Sequence, residues 1–131
     1  MPNPNQRILF VGHAWRRDSL RRSMNTRGFA ITFEPRSCEA FDQLTGSSFD
    51  IVVIDLISTA EASELIERMR KIATLRAIPI IVAGEWGTGW PSLALTGGAD
   101  AFEPAPINAA RLIQAIARLR KTRAAAASKG R

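Results

Sequence analysis

The segment FDIVVIDL, residues 49–56, sets two carboxylates around four consecutive β-branched apolar residues. An ionised carboxylate taken out of water needs a partner, so an aspartate directly after such a run requires an account. Asp50 reads as a solvated residue at the start of a strand. Asp55 falls where that strand emerges at its carboxyl end, the edge at which open α/β sheets build their sites. Other chemistry-bearing residues are few: one histidine, His13, one cysteine, Cys38, and Glu85 in AGEWG. A lone cysteine cannot form an internal disulfide and reads as a small packing residue. The segment GHAWRRDS has one glycine and supplies neither a G-x-G-x-x-G nor a P-loop, which argues against a nucleotide-binding enzyme.

The elements that must position these residues follow from periodicity. Short apolar runs occur at RILFVG (7–12), FAITFE (29–34), DIVVID (50–55), IPIIVA (78–83) and DAFEP (100–104). The first, third and fourth are nearly continuous in Val, Ile, Leu and Phe, as in strands covered on both faces. Helical spacing lies between them. Leu65, Met69 and Ile72 recur at i, i+4, i+7, and so do Leu112, Ile116 and Leu119. Ser37 offers a helix cap ahead of Ala40, Phe41 and Leu44, and Ser58 or Thr59 offers another ahead of Glu61 and Glu64. The alternation predicts α/β class: a (βα)5 doubly wound parallel five-stranded sheet with helices on both faces.

A chain of 131 residues is one domain, long enough to bury a core unaided. No apolar run approaches the roughly 18 residues that span a bilayer, and MPNPNQR lacks the apolar core of a signal peptide, so a cytoplasmic location is expected. The net charge of +6 is local. Residues 118–131 hold six basic side chains and no acid, leaving twelve basic and twelve acidic groups in residues 1–117. The neutral body and the lack of a helix-turn-helix argue against nucleic acid as the main partner. The other basic cluster, WRRDSLRRSMNTR, reads as a solvated helix face or as a docking surface for an acidic partner.

RILFVGH, FDIVVIDL, IPIIVAGE and GGADAFEPAPIN, in this order and spacing, resemble the receiver domains of bacterial two-component response regulators. These are CheY-like domains of flavodoxin-like fold with strand order 2-1-3-4-5. The resemblance covers residue 6 to about 122 and implies a receiver-like domain over 1–122, followed by a basic, disordered tail over 123–131. Its alanines could instead extend the last helix. Asp55 lies where the family keeps its phosphoacceptor, and Phe102 and Pro106 match the region of the fifth strand. Elsewhere the chain departs from the pattern. The two acids that end the family's first strand and help hold Mg²⁺ read Gly12 and His13. The Ser or Thr after the fourth strand is Gly84, and the lysine before the fifth-strand proline is Ala105.

Phosphoryl transfer to a carboxylate brings negative charge toward negative charge, so it depends on positioning and neutralisation. Mg²⁺ wants near-octahedral oxygen ligands, and one carboxylate beside a glycine and a histidine makes a poor site. The resemblance therefore implies a degenerate, stand-alone receiver with no catalytic residue of its own and weak or absent Mg²⁺ binding. It would act as a protein–protein interaction module, not an enzyme, with a histidine kinase, a phosphotransfer protein or a downstream effector as partner. Monomer and homodimer both stand open. A functional phosphoacceptor modified on Asp55 is the alternative, and a nucleic-acid-associated basic protein a weaker one. Asp55 is either paired with His13 or hydrogen-bonded to loop amides. Trp86 and Trp90, in GEWGTGWPSLALTGGAD, either roof the sheet or, with Phe102, form a docking face.

Overall fold

The short apolar runs form the strands that periodicity predicts, each within two residues of the expected limits. They are β1 (Gln6–Gly12), β2 (Phe29–Glu34), β3 (Ile51–Asp55), β4 (Ile80–Gly84) and β5 (Ala101–Pro104). The computed structural model describes residues 6–13, 17–55, 59–84, 98–104 and 107–129. Among these, five helices complete the fold: α1 (Arg17–Asn25), α2 (Ser37–Gly46), α3 (Thr59–Arg70), the single turn α4 (Ala73–Arg76) and α5 (Ala109–Lys129). The strands are parallel, in the order β2-β1-β3-β4-β5. The backbone of α5 remains helical past 122, through the alanines to Lys129.

Strand side chains alternate between two cores, which is why the runs read as continuously apolar. Leu9, Val11, Val52, Ile54, Ile80 and Val82 face one side and pack with Ala40 and Leu44 of α2 and with Leu65, Ile66 and Met69 of α3. Ile8, Phe10, Ile51, Val53, Ile81 and Ala83 face the other and meet Leu20 and Met24 of α1 and Leu112, Ile116 and Leu119 of α5.

At the amino edge of the sheet two aspartates make matching clamps. The Arg7 amide donates to Asp50 Oδ2 at 2.8 Å, and the Asp50 amide donates back to the Arg7 carbonyl at 2.8 Å. The Ile80 amide donates to Asp100 Oδ2 at 2.8 Å, and the Asp100 amide returns to the Ile80 carbonyl at 2.8 Å. Asp50 is exposed, as expected, but it ties β3 to β1 as well as being solvated.

Arg70 closes the same edge. Its Nε donates to the Gly98 carbonyl at 3.2 Å and its Nη1 to the carbonyls of Arg76 at 2.6 Å and Ile78 at 3.1 Å. Its Nη2 reaches Asp100 Oδ2 at 3.1 Å and the Gly98 carbonyl as well. The chain folds around this guanidinium, which lies on the last residue of α3. Ile72, which the i+7 spacing assigns to the same helix, instead caps α4 in an extended conformation, with φ −105° and ψ 124°.

Two smaller expectations are corrected. Ser37 is the first helical residue of α2, and the cap is Arg36, whose carbonyl accepts the Ala40 amide at 2.9 Å. Cys38 is exposed in the first turn of α2, where no core needs it.

Candidate functional site

The carboxyl ends of β1 and β3 meet in register, Gly12 directly opposite Asp55. Asp55 is the last residue of β3 and half-buried, as a carboxylate leaving a four-residue buried run must be. Burial pushes its carboxyl above the ordinary value of 3.8. Among the described residues no hydrogen bond or ion pair reaches it.

Gly12 is buried and has φ +133°, in the region that favours glycine. A Cβ built there would run into the backbone carbonyl oxygen of Asp55. The glycine at the position of an expected acid thus allows the two strand ends to approach more closely than any side chain would permit. His13 is exposed, and no hydrogen bond or ion pair joins it to Asp55. Gly84 ends β4, opposite Pro104 of β5. Phe102 lies on β5 opposite Val82 and packs, half-buried, on the α2–α3 side of the sheet. Glu85, Trp86, Trp90 and Ala105 lie outside the described residues.

Among the described residues no group of three His, Cys, Asp or Glu side chains gathers. The strand ends beside Asp55 contribute Gly12 and Gly84, which have no side-chain oxygen to give. Among the described residues, this donor set does not fit the oxygen-rich shell of Mg²⁺.

Spacing missed two groups here. Glu103, beside Phe102, points to the α1–α5 side and is buried at 7% exposure, with Arg118 Nη2 of α5 at 3.4 Å. Arg70 and Asp100 were also missed, although the acid-before-strand pattern shared by FDIVV and ADAFE could have marked Asp100.

This parallel sheet of order 2-1-3-4-5, ending in an aspartate on its central strand, is the CheY-like receiver fold. Solved structures of that fold overlay closely. A chemotaxis response regulator of Vibrio cholerae is 16% identical with a TM-score of 0.75, over 86% of this chain and 97% of that one. The receiver domain of a signal transduction histidine kinase from Syntrophus aciditrophicus is 21% identical with a TM-score of 0.74, over 87% and 89%. The receiver domain of a sensor histidine kinase from Pseudomonas aeruginosa PAO1, with magnesium coordinated in its active-site cleft, is 19% identical. Its TM-score is 0.70, over 88% of this chain and 97% of that one. No family model and no curated protein matches the sequence. No described helix is long and apolar enough to cross a membrane.

The surroundings of Asp55 have a consequence for stability. With its folded-state pKa raised by burial, the folded chain keeps a proton that the unfolded chain loses first. The stability this contributes is full below the ordinary carboxylate value and is lost as pH rises through the raised one. Asp55→Asn removes that loss, so the variant's melting temperature relative to the parent should climb from acid to neutral pH and then level off. A variant that melts below the parent at pH 7 would reveal a partnered carboxylate.

Proposed function

We propose that this chain is a receiver module of phosphorelay signalling that works by protein–protein association, with Asp55 at the phosphoacceptor position and little or no Mg²⁺-dependent phosphorylation. The observation that carries this reading is the Gly12–Asp55 pair. The position that should bring a second carboxylate to the cation is instead a backbone approach with no room for a side chain. Without neutralising charge, an incoming phosphoryl group meets an uncompensated carboxylate.

In this role the chain has no turnover of its own and resides in the cytoplasm. It meets a histidine kinase, a phosphotransfer protein or a downstream effector. The face carrying Phe102, with Trp86 and Trp90 of the preceding segment, serves as one docking face, since aromatic side chains dominate binding hot spots.

The decisive measurement is intact mass after incubation with acetyl phosphate, with and without Mg²⁺. The expected result is no phosphoryl adduct, or a trace that Mg²⁺ does not increase. An adduct that forms readily with Mg²⁺ and disappears in Asp55→Asn would establish the chain as a working phosphoacceptor and discard the degenerate reading.

A further inference from the structure

The neutrality of the body hides a division of charge between its two faces. Helices α1 and α5 lie together on one side of the sheet, where both feed the same core. There α1 and residues 109–121 of α5 expose Arg17, Arg21, Arg22, Arg111, Arg120 and Lys121, and their one acid is Asp18. On the opposite side α2 and α3 carry Glu39, Asp42, Glu61, Glu64 and Glu67 against Arg68 and Arg70, and Arg70 is turned onto backbone carbonyls.

Several of these arginines are also held in place. The guanidinium carbons of Arg17 and Arg21 lie 5.7 Å and 5.0 Å from the centroid of the Phe33 ring, and that of Arg120 lies 5.7 Å from Phe29. Both rings belong to β2, the edge strand on this side of the sheet. A guanidinium resting on an aromatic ring has already lost part of its rotamer freedom, so it gives up less on engaging a partner. Its edge carries the N–H donors, and their fork matches a carboxylate.

We propose that the α1–α5 face, with the β2 edge, docks an acidic protein segment whose carboxylates engage the arginines stacked on Phe33 and Phe29. The proposal rests on the interaction-module reading and names the chemistry of one partner. One observation favours protein over nucleic acid. Single strands are bound on open aromatic platforms, whereas arginines cover both Phe29 and Phe33.

The test uses the full chain and fluorescence anisotropy with a labelled poly-L-glutamate peptide at low and moderate salt. The parent should bind it, with affinity falling as salt rises. The double variant Arg17→Glu/Arg21→Glu should bind at least about tenfold more weakly. Arg22→Glu/Arg111→Glu, which disturbs no ring contact, should also weaken binding and covers the case in which the first variant misfolds. Arg36→Glu/Lys71→Glu makes the same change of net charge elsewhere and should bind nearly as the parent does. Three results would overturn the proposal: no binding at low salt, equal loss in the Arg36/Lys71 control, or tighter binding of an oligothymidylate of matched charge. Each leaves the acetyl phosphate result untouched, so the two readings fail separately.

Discussion

Replacing Arg70 by alanine is expected to cost about 3 kcal/mol of folding stability, among the largest effects of any residue outside the two cores. Its guanidinium, only 23% exposed, donates to the carbonyls of Gly98, Arg76 and Ile78 and to the Asp100 carboxylate. Truncation removes the donor from all four at once, the bonds to Gly98 and Ile78 being partly buried and those to Arg76 and Asp100 exposed. The end of α3, the approach to β4 and the start of β5 would lose their common anchor. Lysine at this position should recover less than half, because an ammonium cannot span acceptors that a planar fork reaches together. Urea unfolding of the three proteins checks both statements. A loss below about 1 kcal/mol for the alanine variant would mean that solvent replaces these bonds with little penalty.

Gly12→Asp, the substitution that would put an acid back beside Asp55, is expected to destabilise the fold by about 3 kcal/mol or more without creating a cation site. Its φ of +133° is unfavourable for any residue with a Cβ. The atom such a Cβ meets is a backbone oxygen of Asp55, which cannot swing aside as a side chain could. Gly12→Ala should show most of the same loss, which separates backbone strain from added charge. Calorimetric titration with Mg²⁺ should give no saturable binding at low-millimolar concentration. A stable Gly12→Asp variant that binds Mg²⁺ would show that β1 relaxes to a receiver-like end.

The strands were legible because burial on both faces leaves a continuous apolar run, and the runs of β1, β3 and β4 contain little else. Asp55 was legible for the opposite reason, as one charged residue at the end of such a run. Gly12 could be read only as a missing acid. Its positive φ and its approach to the neighbouring strand are three-dimensional facts that no local pattern carries. Arg70 was hidden by its position, since an arginine in the last turn of a helix is what helix electrostatics favour anyway. Its partners Gly98 and Asp100 follow 28 and 30 residues later. The break of α3 at Arg70 was hidden with it, because Ile72 keeps the apolar spacing while leaving the helix.

The clamps of Asp50 and Asp100 also bear on how the sheet finds its alignment. A parallel strand that slips by one residue turns all of its side chains to the wrong face. Ile, Val and Leu are nearly interchangeable as apolar bodies, so the cores alone discriminate poorly between neighbouring offsets of similar strands. Asp50 and Asp100, each one residue ahead of its strand, reach the amide of the adjoining strand in the native alignment. A two-residue slip would keep every side chain on its proper face yet pull each carboxylate from its amide. The addresses of β3 and β5 are therefore written in two polar residues outside the cores, and the apolar positions behind them are free to exchange Ile, Val and Leu without the sheet losing its place.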